Sequence, residues 1–313
     1  MIIIYYIWDF MSINVTKKGR ISVILPIYGD FSVERAKLSV KSILAQNAPD
    51  VEVIVSEQGR IRRFPELPEI KHIFRHTDMS HGSNEIHPGT VRNIGITNST
   101  GEFIYTNDAD IIFPCINYLS NAICSLGSDN TVLFRPRMRR LPLDNFPVFE
   151  KWSNDFGILH AISKLDYKQD NIVTVDGLER KVRIFEKQSS YKKIFTAFEK
   201  DFQDFISSGK KGNEPMFWNE NRHCGGNLFR RDQFDTVGGY HNGFTVWGCE
   251  DSDLQWKFSE KYGIRFFPDE LEVIHLDHPK GYFSSEAWAR NEELFAKRKE
   301  IGIDKIIRMD KGG

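Results

Sequence analysis

The sequence predicts an α/β fold, a mixed sheet flanked by helices with a helical insertion in the middle of the chain. Three observations carry that expectation. Residues 20–135 alternate short apolar runs with amphipathic stretches, the rhythm of strands joined by crossover helices. The pattern loosens from about residue 134 to 212, then order resumes in the last third. A chain of 313 residues suggests two lobes at roughly 150 residues per domain.

The elements follow in order. Residues 21–27 (ISVILPI) form a continuous apolar run, as expected of a strand buried on both faces. Residues 32–46 bring Val33, Ala36, Leu38, Val40, Ile43 and Leu44 near one helical face, and residues 51–55 (VEVIV) read as the second strand. Residues 70–74 are a third. Pro88 suits the first position of a helix that turns Val91 and Ile94 inward and ends near the polar run 98–101. Residues 103–106 (FIYT) are a strand running straight into Asn107, Asp108, Ala109 and Asp110. In the middle segment Arg135, Arg137, Arg139 and Arg140 read as a solvated loop ahead of an anionic-acceptor site. There the stripe Ile194, Phe195, Phe198, Phe202 and Phe205 predicts a helix over 191–206. Later come a strand at 226–230, a short helix at 232–237, a turn at Gly238 and Gly239, and a helix at 251–262 carrying Leu254, Phe258 and Tyr262 on one face. Strands at 264–267 and 271–274 precede a helix capped by Ser284 and running to Lys299, with a frayed tail at Gly312 and Gly313.

Composition narrows the function. The chain is 40% hydrophobic and 27% charged with a formal net charge of −1, so it has no global attraction for nucleic acid and any anion site must be local. Cys115, Cys124, Cys224 and Cys249 form no C-x-x-C pair and no disulfide framework, which fits a reducing, cytoplasmic setting. Residues 1–11 (MIIIYYIWDFM) are apolar but far short of the roughly 20 residues that cross a bilayer, and they lack the basic and small-residue features of a signal peptide. They read as an arm packed on the fold, as a dimer or peripheral membrane contact, or as a non-native extension.

Three constellations carry chemistry. Asp108 and Asp110 stand at the carboxyl end of a strand, where open α/β sheets put their ligands, and hard cations such as Mn²⁺ or Mg²⁺ take carboxylate oxygens there. Aspartates at a strand end also simply start turns. Trp247, Gly248, Cys249, Glu250, Asp251, Ser252 and Asp253 bring a glycine turn into a helix with three acids in its first turn. The helix dipole explains one or two of those acids, but not the adjoining aromatic and glycine that a sugar ring would use. Asp251 is the candidate general base and Glu250 the acceptor-binding group. His275 and His278 follow a strand and could complete an oxygen and nitrogen ligand set with Asp110, while Lys280 or Arg92 could neutralise a leaving diphosphate. Surface histidines are the plain alternative.

Taken together these motifs resemble GT-A (Rossmann-like) glycosyltransferases of the family 2 type, with a C-terminal half like that of the β-1,4-galactosyltransferases. The resemblance runs from residue 21 to 280 in its motifs, except for residues 134–212, which match none of them. Residues 21–28, with Pro26 and Tyr28, resemble the opening strand and nucleotide-binding turn; residues 90–96 (TVRNIGI) the A-R-N-x-G segment; residues 101–110 the strand ending in D-x-D. Gly225, Gly226 and Asn227 through Asp251 resemble the G-G…W-G-x-E-D element.

The resemblance implies donor contacts from Pro26, Tyr28, Arg92, Gly226 and Lys280, with Asp108 at the donor ribose, Trp247 lining the sugar site and Asp251 as base. It implies Asp110 as a metal ligand, with His275 or His278 sharing that role for Mn²⁺ or Mg²⁺. Where family 2 members usually carry two aspartates at the uracil, this chain has Ser56, Glu57, Gln58 and Gly59, and Glu57 or Gln58 would take over that contact. Residues 1–19 would be an arm, 20–135 the nucleotide-sugar half, 136–215 the insertion, 216–283 the acceptor and catalytic half, and 284–313 a terminal helix and tail. The implied reaction is inverting transfer of a galactose-type hexose or N-acetylhexosamine from a UDP-sugar to a glycan or lipid-linked glycan. A retaining transferase, a metal-dependent phosphohydrolase and a non-catalytic nucleotide-sugar-binding protein are its rivals.

Overall fold

A computed structural model describes residues 19–28, 31–48, 50–77, 86–127, 130–169, 171–175, 222–246, 248–279 and 284–312. The expected helix at 191–206, most of the N-terminal arm, Trp247 and Lys280 lie outside the described residues.

The first half builds the main sheet. Strand β1 (Ile21–Tyr28) pairs in parallel with β2 (Val51–Gly59) on one side and with β4 (Phe103–Thr106) on the other. Strand β3 (Lys71–His76) extends the β2 edge in parallel. Helix α1 (Val33–Leu44) begins at Ser32, whose side chain accepts from the Arg35 amide, and α2 (Pro88–Thr97) starts on Pro88 as its missing N–H allows. Alternation along β1 sends Val23, Leu25 and Ile27 into a core with Ala36, Val40 and Ile43 of α1, and Ile24 into the opposite core with Ile96 of α2. Pro26 is tolerated inside β1 because its missing donor falls on the β4 side, where the Ile24 carbonyl accepts from Asn107, and two residues beyond the last β1–β4 pair at Ile24 and Thr106.

Helix α3 (Tyr118–Leu126) leads to β6 (Thr131–Phe134). After the insertion the chain returns as β10 (Asn227–Arg230), which slots between β4 and β6 antiparallel to both. Strand β11 (Gly263–Phe266) closes the far edge in parallel with β6, for the order β11-β6-β10-β4-β1-β2-β3. Helices α6 (Arg231–Val237) and α7 (Glu250–Lys261) put Phe234, Leu254 and Phe258 onto the α2 face. The mixed sheet with helices on both faces is the GT-A (Rossmann-like) architecture.

A second sheet is absent from the sequence reading. It runs β5-β12-β7-β9-β8, built from β5 (Ile111–Ile112), β7 (Met138–Leu141), β8 (Leu165–Gln169), β9 (Ile172–Val175) and β12 (Val273–Leu276). The insertion supplies β7 to β9 together with α4 (Phe146–Phe156) and α5 (Ile158–Ser163), whose Phe149 and Ile158 share a core with Ile112, Val173 and Ile274. The basic cluster belongs to this framework and is not a solvated loop. Arg135 Nε donates to Gln255 at 2.8 Å, Arg139 to Glu272 at 2.7 Å and Arg140 to Asp277 at 2.8 Å.

Helix α8 (Ser285–Ile301) starts on the Ser284 cap as expected, but a further helix α9 (Ile303–Asp310) stands where only a tail was read. Gly302, at φ 90°, breaks α8 from α9, and Ile306 and Ile307 bury against the molecule. No helix among the described residues is long and apolar enough to cross a membrane.

Candidate active site

The D-x-D turn is the seam between the two sheets. β4 ends at Thr106, the Asn107 amide donates to Ile24 O, and the Ile111 amide closes the turn on Asp108 O before β5 enters the second sheet. Asp108 therefore projects beside the main sheet and Asp110 beside the second. Gly225 permits this, because a Cβ there would meet the Asp108 carboxylate oxygens at 2.8 and 3.0 Å.

Arg92, fully buried on α2, joins Asp108 to the start of α7. Its Nη2 donates to Asp108 Oδ1 at 2.7 Å and lies 3.7 Å from Asp251 Oδ2, and its Nη1 donates to Glu250 Oε1 at 3.3 Å. Burial alone would lower the guanidinium, but Asp251, Asp108 and Glu250 outweigh it and hold the charge firmly. Tyr240 donates its hydroxyl to Asp251 Oδ1 at 3.2 Å. Burial, with Glu250 and Asp108 nearby, pushes the Asp251 carboxyl up to about 7 against the pull of Arg92 and the Tyr240 hydrogen bond. That is the range in which a carboxylate serves as a proton acceptor near neutrality. The third acid of the helix turn, Asp253, has a different role: it is fully buried and takes two bonds from Arg298 of α8, at 2.7 and 3.0 Å.

On the other side of the seam, Asp110 meets His275 and His278. His275 Nε2 lies 3.3 Å and His278 Nε2 3.0 Å from Asp110 Oδ2. His275 Nδ1 faces Asp277 Oδ1 at 2.8 Å, and His278 Nδ1 faces the Pro279 carbonyl at 2.9 Å. A carboxylate and a carbonyl only accept, so each ring donates from Nδ1 and turns Nε2 toward the aspartate. Asp110 Oδ1 is buried with no hydrogen-bond partner among the described residues. Ligand atoms of these three residues lie within 4.8 Å of one another. An orphan carboxylate oxygen beside two convergent imidazole nitrogens fits a divalent cation. Burial would raise Asp110, yet the histidines hold it well below the usual carboxylate range. Burial would likewise lower His275, yet Asp110 and Asp277 push it up to about 9.

The remaining expected residues divide. Gly226 is packed so closely that a Cβ would meet Pro136 at 2.6 Å, and Tyr28 stands half-buried at the end of β1. Gln58 is buried and donates to Thr77 at 3.0 Å. Glu57 is engaged within the fold. Its carboxylate is buried, accepts from the Arg63 and Phe64 amides at 2.8 and 3.3 Å, and meets His72 Nε2 at 2.9 Å, so it ties the 59–64 loop to β2 and β3. Burial would raise that carboxyl, but His72 and the amides outweigh it and hold it low.

His223 is a site residue that the sequence reading missed. It is buried with Nδ1 3.7 Å from Asp108 Oδ2, and burial lowers its basicity against the pull of Asp108 and Asp110. A histidine two residues before the Gly225–Gly226 pair was the only signal for it.

Residues 22–234 match glycosyl transferase family 2, and residues 213–279 match a family described as the N-terminal domain of galactosyltransferase. An uncharacterized glycosyltransferase of Rickettsia conorii is 31% identical over 103 residues, 33% of this chain and 17% of that protein. One of Rickettsia bellii is 29% identical over 109 residues, 35% of this chain and 15% of that protein. The match thus spans under a fifth of the length of these curated relatives. Among solved structures, a mannosyltransferase from Pyrobaculum calidifontis in complex with GDP-Man and Mn²⁺ is similar at a TM-score of 0.49 and 16% identity, covering 95% of this chain and 70% of that one. TarS 1–349 from S. aureus in complex with UDP is similar at 0.47 and 15%, covering 89% and 64%.

Proposed function

The chain belongs to glycosyl transferase family 2, and we propose that it transfers a galactose-type hexose or N-acetylhexosamine from a UDP-sugar to a hydroxyl of a glycan acceptor, inverting the anomeric centre. The observation that carries this reading is the Arg92 bridge, which holds Asp108 of the D-x-D turn and Asp251 of α7 within the span of one guanidinium. It brings a carboxylate of raised basicity next to the turn expected to hold the donor.

In this reading Asp251 takes the proton of the acceptor hydroxyl, whose oxygen forms the new bond to the anomeric carbon as the bond to the diphosphate oxygen breaks. Tyr240 and Arg92 orient the Asp251 carboxylate. Glu250, on the same guanidinium, positions the acceptor. Asp108 receives the ribose hydroxyls. Asp110, His275 and His278 would hold Mn²⁺ or Mg²⁺, which when bound supplies electrostatic stabilisation of the departing diphosphate. Trp247 and Lys280 keep their proposed places at the sugar and the diphosphate. Arg92 acts as a charge hub among the acids, which leaves direct neutralisation of the leaving group to Lys280 and the cation.

Calorimetric titration with a panel of nucleotide sugars, with and without Mn²⁺, tests the proposal. Metal-dependent binding of a UDP-sugar, with one sugar favoured, is the expected result. Nucleotide-sugar binding indifferent to metal, or none, would overturn it.

A further inference from the structure

The histidine cluster has a built support that the reaction above does not use. Strand β12 is flanked by β5 and β7, and its register sets His275 opposite Ile111 on one side and Arg140 on the other. The backbone past the strand is pinned from several directions. The Leu276 amide donates to Asp110 O at 2.8 Å and the Asp277 amide to Leu141 O at 3.0 Å. Arg35 of α1 reaches over with Nε to Leu276 O at 3.2 Å and Nη2 to Asp277 O at 2.8 Å. The Asp277 side chain thereby turns back to the Nδ1 edge of the His275 ring.

Its Oδ1 then meets two donors, each at 2.8 Å: His275 Nδ1 and Arg140 Nη1. The two nitrogens are themselves 3.3 Å apart. A guanidinium nitrogen carries only hydrogens, so this triangle is favourable when both nitrogens point their protons at the shared carboxylate oxygen. Without that oxygen, Arg140 would face the imidazole directly, and the ring would lower its energy by moving its proton to Nε2 and accepting from Arg140 on Nδ1. Nε2 is the atom aimed at Asp110, and an Nε2–H cannot bind a cation.

We propose that Asp277, held by Arg140, is a positioning residue that selects the His275 tautomer whose Nε2 lone pair faces the metal centre formed with Asp110 and His278. The inference rests on the metal-binding reading of that centre. It extends that reading from the ligands to the group behind one of them, a kind of support whose loss typically lowers metal affinity by about 10- to 100-fold.

Mn²⁺ affinity, read from the free-ion paramagnetic resonance signal, is the test. Wild-type protein binds Mn²⁺, H275A loses that binding, and D277A weakens it by about 10- to 100-fold. D277N, which keeps an acceptor oxygen, falls between wild type and D277A. The diagnostic variant is D277A/R140M: removing the arginine removes the reason for the ring to shift its proton, so the double variant binds Mn²⁺ more tightly than D277A alone. Because losing the arginine charge also tightens cation binding, R140M alone sets the baseline: the gain of D277A/R140M over D277A exceeds the gain of R140M over wild type, and equal gains overturn the proposal. Should D277A not fold, ¹⁵N spectra of the His275 ring in Mg²⁺-loaded wild type decide the matter. A proton on Nδ1 is expected, and a proton on Nε2 refutes the inference. Unchanged Mn²⁺ affinity in H275A would instead remove the metal centre itself, so the two failures are distinguishable.

Discussion

At the scale of single residues, Asp251 carries the most weight. With its carboxyl raised to about 7, a base that must be ionised makes kcat/KM climb with pH and level off above about 7, as a rate profile from pH 5 to 9 would record. The same shift reverses sign for stability. The folded state binds this proton more tightly than the unfolded chain, so stability is full below the ordinary aspartate range and falls as pH rises toward 7. D251N removes that penalty. It should lose at least about 10³-fold in kcat with donor binding retained. In thermal unfolding at pH 8 it should melt about 2–4 °C above wild type, a gap that closes near pH 4. Arg92 is the counterpart. R92M would leave Asp108, Glu250 and Asp251 facing one another and destabilise the protein by about 3–5 kcal/mol in urea unfolding. It would also move the rising limb of the rate profile to higher pH. Asp108, Asp110, Glu250, Asp251, His275 and His278 stood out in the sequence because each sits where a strand ends or a helix begins, and His223 did not. Nor did their partners. Nothing local says that Glu57 will be closed off by His72 and two loop amides, or that Asp253 answers to Arg298, 45 positions away.

At the scale of elements, α2 lies against the sheet because Gly95 lets it: a Cβ there would meet Ile24 Cγ2 at 2.6 Å. Alanine in place of a glycine inside a helix normally gains about 1 kcal/mol. G95A should instead lose about 1–3 kcal/mol through overpacking, a change of sign that chemical denaturation would reveal. Helix α7 is fixed at its start by Arg92 and further along by a buried network in which Arg298 and Lys257 bind Asp253 and Asp310. That network is why α9 exists as an ordered element. The Ile303, Ile306 and Ile307 spacing is its sequence signal, but it is too short for periodicity to separate from a tail, and the pairing that orders it is tertiary. β1, β2, α1, α2 and β4 were legible for the opposite reason, as long apolar runs and strong periodicity bounded by Pro88 and Ser32.

At the scale of the whole molecule, the site is a seam. Asp108 and Asp251 belong to the main sheet and its helices, and Asp110, His275 and His278 to the junction with a second sheet. That sheet escaped the sequence reading because β5 has two residues and β7 reads as a basic cluster. The charges of β7 find Glu272 and Asp277 only after the chain has folded across more than a hundred residues. A metal on Asp110 and the two histidines would tie the D-x-D turn to the second sheet, so Mn²⁺ at a hundredfold excess over Kd should add about 2.7 kcal/mol and raise Tm by about 4 °C, with chelator reversing it. Cleavage at the anomeric carbon with transfer is read by ³¹P spectroscopy of the spent donor in the presence of Mn²⁺ and a glycan acceptor. A nucleoside diphosphate is the expected phosphorus-containing product, formed by wild type and not by D251N. A nucleoside monophosphate with sugar 1-phosphate would mean hydrolysis at the pyrophosphate and would contradict transfer.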